Sequence, residues 1–414
     1  MPIPSSRQAL TFSCLGHAFM HFFAAFYFII VLQIEKEWPL PYHELIGLWT
    51  LGSLLVGLGA VPAGWLSDRW GAPALLVAMF IGMGASAFVC GLAETPAALW
   101  VGLCGIGLFC SIYHPVGIPW VVRNAKAQGK ALGINGIFGN GGVAGASLLT
   151  GALIDGFTAG AAFLVPGAVA VAVGLAMWWQ AARGGLGDVR ETPATQAATT
   201  AGDRRRAYLI FIATTVALSL AYQVIQTTLP KLFSQRLETW VEGGAFGVGA
   251  LVAAVYAVAS VVQMVGGHLA DRYPAKPIYF AGLLLQVPAL AWTAQAVGMP
   301  LVIAATLAVV FNSAVAPAEN MLLARYTPNH RSGLVFGLKF VLTFGCAPAA
   351  VVLVARLYAW SGEFIGLYFI LAACMVLACA AAALLPNGRS SDVIKVGAVF
   401  DAHGAAAAGK ASSP

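Results

Sequence analysis

Two polar stretches interrupt the long apolar segments of this 414-residue chain, GWLSDRWGAP at residues 64–73 and GGHLADRYPAKP at residues 266–277. Each stretch contains a glycine, three further residues and then an Asp-Arg pair, which is Asp68-Arg69 in the first and Asp271-Arg272 in the second. The second Asp lies 203 residues after the first. A pattern that recurs at equivalent junctions predicts that the chain is an internal duplication.

The composition excludes an ordinary soluble protein. Hydrophobic residues make up 60% of the chain and charged residues only 9%, whereas soluble domains carry about 25% charged residues. Apolar stretches of about 18 or more residues, each long enough to cross a bilayer as a helix, recur along the whole chain. The sequence therefore predicts an all-α polytopic membrane protein with the lipid bilayer as its surroundings.

Clusters of polar residues, proline and glycine divide the chain into twelve predicted membrane spans. These spans are expected near residues 9–33, 43–66, 74–93, 97–122, 131–155, 160–182, 207–231, 245–269, 278–297, 300–324, 333–357 and 363–385. The pattern predicts an N-terminal six-helix half at residues 1–182 and a C-terminal six-helix half at residues 207–385. The segment 183–206, rich in Gly, Thr and Ala, is expected to be a cytoplasmic linker, and the tail 386–414 is expected to be disordered.

Basic residues predict the orientation of the chain, because short cytoplasmic loops of membrane proteins are enriched in Lys and Arg. With a cytoplasmic N-terminus, Lys36, Lys231, Arg236 and Arg356 lie outside and Lys339 lies within a span, so the rest of the 22 basic residues are cytoplasmic. Both termini are therefore predicted to be cytoplasmic. We call that side the inner side and the opposite side the outer side. The net charge of +6 is then explained by orientation, and no nucleic-acid partner is expected.

The sequence contains no motif of soluble chemistry. It has no phosphate-binding Walker loop and no nucleophile–base set at a recognisable spacing. The seven cysteines fall in apolar segments, where they are expected to be small core residues rather than disulfide partners. We therefore predict that the chain is not an enzyme, that it needs no cofactor, and that a proton gradient rather than ATP drives it.

The repeated G-x-x-x-D-R pattern, between spans two and three and again between spans eight and nine, resembles the signature loop of the major facilitator superfamily. The resemblance covers nearly the whole chain and implies that family's fold, twelve transmembrane helices in two pseudo-symmetric halves. In that family the loop acts as a cytoplasmic gate, whose Asp meets the N-terminus of a helix in the other half. The resemblance assigns this gate to Gly64, Asp68, Arg69, Gly71, Gly267, Asp271 and Arg272.

Three further segments resemble the fosmidomycin-resistance group of drug exporters within that superfamily. They are GHAFMHFFAAFYFIIVLQ in span one, GLFCSIYHPVGI in span four and ALGINGIFGNGGVAGASLLTGALI in span five. On these residues the resemblance assigns His17, His114-Pro115 and Asn140 to the transport site. The group tends to carry acids where this chain has Met20-His21 and Val116. The resemblance implies an exporter in the bacterial cytoplasmic membrane.

Histidines within the spans are candidates for the transport site, because an ionisable side chain inside a membrane usually faces a cavity. His17 and His21 share one face of span one, and His114 in span four could converge with them. Together they are candidates for anion binding and proton acceptance, or alternatively each meets only a backbone carbonyl or water. The spacing of His17 and His21 also suits two metal ligands. No Asp or Glu accompanies them in that span, and no metal site is predicted.

Glu319 in span ten and Lys339 in span eleven are the acid and the base predicted within the spans of the second half. A mutual ion pair would avoid two lone buried charges. It either switches during transport, with Glu319 carrying the coupling proton, or is a static structural pair. The neutral residues Gln223, Gln226 and Asn312 are candidates for hydrogen bonds to substrate, or alternatively for joining helices.

These patterns favour a secondary active transporter, expected to be monomeric, that works by alternating access. The predicted function is proton-coupled efflux of a small organic compound, in one interpretation an anion, as in a drug-resistance antiporter. One alternative is an importer or exchanger of a small organic anion, in which histidine and Lys339 supply positive charge. A second alternative, of another class, is a membrane sensor or assembly factor that transports nothing.

Overall fold

The computed structural model describes residues 6–124, 128–184, 186, 200–237, 244–327 and 332–386, and this part of the chain is helical without any strand. The helices of the first half are α1 (Ser6–Ala25), α2 (Tyr27–Glu37), α3 (Tyr42–Gly47), α4 (Trp49–Leu58), α5 (Ala60–Trp70), α6 (Ala72–Gly91), α7 (Pro96–Cys110), α8 (Tyr113–Asn124), α9 (Gln128–Gly156) and α10 (Ala159–Ala182). The helices of the second half are α11 (Ala201–Arg236), α12 (Gly244–Arg272), α13 (Ala275–Gln295), α14 (Gly298–Ala314), α15 (Ala316–Tyr326), α16 (Ser332–Ser361) and α17 (Ile365–Ala383).

The described residues contain up to twelve helical segments that are suited to span a membrane. Eleven helical segments are long and apolar enough to cross a membrane, and the segment from Tyr42 to Trp70, which bends by 44°, makes the twelfth. In chain order the spans are α1–α2, α3–α5, α6, α7–α8, α9, α10, α11, α12, α13, α14–α15, α16 and α17. The predicted all-α fold with two six-span halves is confirmed.

The second half begins earlier than the sequence pattern predicts. Thr200 Oγ1 accepts the backbone N–H of Asp203 at 3.1 Å, and this N-cap satisfies a donor that the first helical turn leaves free. Residues Ala201–Arg206 are therefore the first turns of α11 rather than the end of a linker. Residues 187–199 of the predicted linker and residues 387–414 of the predicted tail lie outside the described part of the chain.

The Asp-Arg pairs lie on the last turn of a helix, which corrects their predicted position in a loop. Asp68 and Arg69 belong to α5, and the chain turns at Gly71, whose φ of 82° is a conformation that favours glycine. Asp271 and Arg272 likewise end α12. The side chain of Asp271 lies outside what the structure describes. The candidate gate residues thus sit on helix ends rather than on a flexible connection.

The fourth span of each half breaks at an equivalent place. Span four is interrupted just before α8, which carries Pro115 in its first turn, and span ten just before α15, which carries Pro317 there. Proline is tolerated in a first helical turn and removes a backbone hydrogen bond deeper in a helix. A Cβ built on Gly64 would lie 3.6 Å from Pro115, and one built on Gly267 would lie 3.9 Å from Pro317. These matched contacts support the predicted duplication.

The two halves meet mainly along three pairs of spans. Span one contacts span seven, span two contacts span eleven, and span five contacts span eight. Span four lies behind spans one and two within the first half, and span ten lies behind spans seven and eight within the second. Polar residues on these spans are therefore brought towards the middle of the molecule, where the candidate site lies.

Candidate functional site

Three histidines of the first half form one cluster between spans one and four. The ring centroids of His17 and His21 are 4.9 Å apart, and those of His114 lie 5.3 Å from His17 and 5.5 Å from His21. One nitrogen of each ring lies within 4.8 Å of the others. The predicted convergence of these three residues is therefore present in the structure. We call this group the histidine cluster.

A network of neutral hydrogen bonds holds His17 in place. The Asn135 backbone carbonyl lies 2.8 Å from His17 Nδ1, so that nitrogen carries the proton that the carbonyl accepts. The Asn135 side chain donates from Nδ2 to the Tyr113 hydroxyl at 2.8 Å, and the Ser13 hydroxyl lies 2.9 Å from the same oxygen. The Tyr113 ring also stacks on His17, with 4.8 Å between the centroids. Ser13, His17, Tyr113 and Asn135 are the first-half polar cluster.

Sequence reasoning missed Asn135 and selected Asn140, five residues further along span five. Five residues turn a helix by about 140° beyond one full turn, so the two side chains face different ways. Asn135 is buried against span one, where Gly139 leaves room for the neighbouring ring, because a Cβ there would lie 2.7 Å from His17. Gly139 follows Asn135 by one helical turn, and this spacing in the sequence could have indicated the close contact with span one.

His114 lies where the two halves touch. It is buried, and its ring contacts two phenylalanines of span eleven, Phe340 at 5.3 Å and Phe344 at 4.6 Å between centroids. Neither ring nitrogen has a hydrogen-bond partner among the described residues. Buried polar atoms in native proteins are nearly always paired, so these two nitrogens require an explanation.

A small cavity adjoins the histidine cluster and is lined by both halves. The first half contributes His21, Met20 and Trp49, and the second half contributes Gln223 and Gln226, among other residues. Its volume is about 30 Å³, which is room for a water molecule and too little for an organic solute. The candidate site is therefore closed in this conformation. Three of the predicted residues, His21, Gln223 and Gln226, line this one cavity.

A charged cluster occupies the corresponding spans of the second half. Lys339 Nζ lies 2.5 Å from Glu319 Oε2, and Thr215 donates to the other carboxylate oxygen at 2.8 Å. Lys339 also donates to Asn320 Oδ1 at 2.6 Å. The Glu319 side chain is 7% exposed and that of Lys339 is 12% exposed. The predicted ion pair is present, and its role in coupling stays a prediction. Thr215, Glu319, Asn320 and Lys339 are the second-half charged cluster.

Two predicted polar residues join helices rather than line the cavity. Asn140 donates from Nδ2 to Gln263 Oε1 at 2.5 Å, which links span five to span eight across the two halves. Asn312 donates to the backbone carbonyl of Leu218 at 3.1 Å, which links span ten to span seven. The Asn312 contact corresponds to the helix-joining alternative that the sequence left open for that residue.

The outer ends of the halves are held together by contacts that the sequence reasoning missed. Lys231 of span seven forms an ion pair with Glu35 of span one at 2.5 Å. The Tyr42 and Tyr358 rings meet beside it with 5.1 Å between centroids, and Tyr42 donates to the Thr227 carbonyl at 3.4 Å. These contacts close the outer side of the molecule in this conformation.

A carboxylate at a helix N-terminus adds to this outer contact. Asp155 at the end of span five accepts the backbone N–H groups of Ala245 at 3.1 Å and Phe246 at 2.8 Å, at the start of span eight. Such a contact is stabilised by the positive end of the helix dipole. The sequence predicted this kind of contact for Asp68 on the inner side. There, Arg69 lies over the Trp65 ring at 3.8 Å, and the gate role of the Asp-Arg pairs stays a prediction.

Comparisons with known proteins agree with this architecture. Solved structures that share the fold include the peptide transporter POT in complex with sulfate, with a TM-score of 0.72 and 16% identity over 93% of this chain and 94% of that one. A bacterial homologue of the human lysosomal transporter Spinster, inward-facing and occupied, has a TM-score of 0.70 and 15% identity over 93% and 97%. The fucose:proton symporter FucP of E. coli has a TM-score of 0.62 and 15% identity over 93% and 100%. At these identities the likeness concerns the fold alone.

The sequence itself assigns the family. It matches the profile of the Major Facilitator Superfamily over residues 14–259 and 243–400, which together exceed half of the chain. A search of curated proteins gives no significant sequence match. The superfamily transports solutes across membranes, so the expectation that the chain is a multi-pass membrane protein and not an enzyme is confirmed. This chain belongs to the Major Facilitator Superfamily of transporters.

Proposed function

We propose that the chain exports a small organic anion from the bacterial cytoplasm, in exchange for protons, as its resemblance to the fosmidomycin-resistance exporters implies. The observation that carries this proposal is the cavity between the halves, where His21 faces Gln223 and Gln226 across the two halves. An imidazole N–H and two amide groups can donate hydrogen bonds, and such donors suit an anionic group. Rocking of one half against the other would expose this cavity to each side in turn.

The second-half charged cluster supplies a site for the coupling proton. While Glu319 is ionised, its carboxylate balances Lys339 and accepts the Thr215 hydroxyl. When Glu319 takes up a proton, the Coulomb attraction to Lys339 is lost, and the lysine keeps only its hydrogen bond to Asn320. Because these residues belong to spans seven, ten and eleven, one proton changes how three spans of the second half hold together.

A second candidate function is proton-coupled import of a small organic anion. The observation that favours it is the position of Lys339, which a protonated Glu319 would leave without its counter-ion. A lysine freed by one proton could bind an anion that travels in the same direction as that proton. The direction of transport therefore separates the two candidates, and export is preferred because spans one, four and five resemble those of exporters.

The test is accumulation of fosmidomycin in bacteria that lack their own exporters and express this chain. Native protein is expected to lower accumulation, and both a protonophore and Glu319→Gln are expected to restore it. Glu363→Gln is the matched control, because it removes an exposed acid at the outer end of the second half. Correct insertion of each variant is verified by its amount and its monodisperse elution in detergent.

Each other outcome rejects a named part of the proposal. Raised accumulation would establish import and overturn the direction. Export that ignores the protonophore and Glu319→Gln would overturn proton coupling. Unchanged accumulation with well-inserted protein would reject fosmidomycin as a substrate, and absence of flux for every tested anion would favour the non-transporting alternative.

A further inference from the structure

The histidine cluster has the donor set of a transition-metal site. Neutral imidazole nitrogen is a preferred ligand of Zn²⁺, Cu²⁺, Ni²⁺ and Co²⁺, and three protein ligands with an open position are typical of accessible zinc sites. His17, His21 and His114 place one nitrogen each within 4.8 Å of one another. Two nitrogens on one metal ion lie about 3.3 Å apart when each bond is about 2.0 Å. Binding of one ion therefore requires the three rings to move closer together.

His17 is oriented as a metal ligand. Its Nδ1–H donates to the Asn135 carbonyl, which leaves Nε2 with a free lone pair as the nitrogen that could bind a metal. Metal-binding histidines almost always donate their other nitrogen to a carbonyl or carboxylate in this way, because the contact fixes both tautomer and ring direction. Tyr113 of span four and Ser13 of span one hold Asn135 in turn. Residues of spans four and five therefore both support the orientation of His17.

His114 is the second, independent observation. It is 8% exposed, and both of its nitrogens are without a hydrogen-bond partner among the described residues. Contacts with Phe340 and Phe344 account for the plane of the ring but give neither nitrogen a partner. A metal ion would give one His114 nitrogen a bonding partner. Packing of the ring against phenylalanines gives that nitrogen no partner.

We propose that His17, His21 and His114 bind one divalent transition-metal ion at the edge of the central cavity. The remaining coordination positions face that cavity, since His21 lines it. The three ligands are neutral and no acid belongs to the described cluster, so the bound ion keeps its double positive charge. If the chain exports an organic anion as proposed above, the ion would therefore attract an anionic group of the transported compound.

The test is a titration of the purified full chain, without a polyhistidine tag, with Co²⁺. Binding is expected to saturate at one ion per chain and to produce the visible absorption of four- or five-coordinate Co²⁺ bound to nitrogen. Zn²⁺ is expected to displace the Co²⁺ and erase the absorption, whereas Mg²⁺, which prefers oxygen ligands, is expected to leave it unchanged.

Three variants decide whether the histidine cluster is responsible. His114→Gln and His21→Gln are each expected to lower Co²⁺ affinity by more than about 10-fold. Loss of a residue that merely supports a metal ligand already lowers affinity by about 10–100-fold. His268→Gln is the matched control, because that histidine lies on an exposed part of span eight, and it is expected to bind like the native chain. His21 is only partly buried, so its variant is the less disruptive of the two.

The proposal is overturned if folded native protein gives no Co²⁺ absorption, or if both cluster variants bind as tightly as the control. This binding assay needs no transport, so the two proposals fail separately. Co²⁺ binding without flux of any tested organic anion would keep the metal site and reject the proposed function. Export without Co²⁺ binding would do the reverse.

Discussion

The two halves build polar clusters from the same three spans, the first, fourth and fifth of each half, but with different chemistry. The first-half polar cluster is neutral and joins a serine, a tyrosine and an asparagine around His17. The second-half charged cluster is an ion pair between Glu319 and Lys339. The positions 203 residues before these two charges are Val116 and Gly136, which cannot form such a pair.

This difference separates a cluster that keeps its form from one that responds to a proton. Neutral hydrogen bonds keep much the same geometry across the pH range in which their groups do not titrate. A carboxylate in a buried ion pair loses its attraction for the lysine as soon as it is protonated. In the proposed mechanism, the second-half charged cluster is therefore the proton-responsive one.

Removal of one partner of the ion pair is expected to have the largest effect on stability. Lys339→Met leaves the Glu319 carboxylate buried without a counter-ion, which costs about 3–5 kcal/mol in comparable cases. The double variant Glu319→Gln with Lys339→Met is expected to recover most of that loss, because no lone charge remains. Thermal unfolding in detergent measures both. A double variant as unstable as the single one would mean that side-chain packing rather than charge holds the second-half cluster.

The corresponding test in the first half concerns the hydrogen bonds of the Tyr113 hydroxyl. Tyr113→Phe removes the hydroxyl that Asn135 and Ser13 share and leaves their buried groups with fewer partners, at an expected cost of about 1–3 kcal/mol. Tyr256→Phe is the matched control, because that buried hydroxyl has no partner among the described residues. It is expected to be neutral or slightly stabilising in the same thermal unfolding assay. Equal losses in the two variants would contradict the hydrogen-bonded network.

The smallest expected effect concerns the contact between the halves. Glu35→Gln weakens a partly exposed ion pair, which is worth about 0.2–1 kcal/mol. The ratio of molecules closed on the outer side to molecules open on that side should therefore fall by up to about fivefold. Spin labels at Glu94 and Ser361, exposed at the outer ends of the two halves, report this change as a longer distance. Glu363→Gln breaks a pair within the second half alone and should not alter the distance. A similar shift in both variants would mean that the Glu35 pair does not hold the halves together.

The sequence predicted the helices well and the candidate site only in part. Span number, duplication and the ion pair followed from hydropathy, spacing and the cost of lone charges in a membrane. The resemblance assigned Asn140 to the site, and the local pattern of this Gly-rich helix gave no reason to consider Asn135. Only the position of span one shows which of them meets His17. Asn312 proved to join two helices, since a helical pattern does not tell a cavity face from an interhelical face.

What the sequence determined by itself was which segments are apolar enough to span the bilayer and which of them repeat, because these depend on local composition and helical periodicity. The tertiary structure alone decided the distances between spans. It brought His114 to His17 and His21, put Phe340 and Phe344 against it from the other half, and joined Glu35 to Lys231. Those contacts depend on how helices cross and on where one half lies against the other, and packing across the whole molecule sets both.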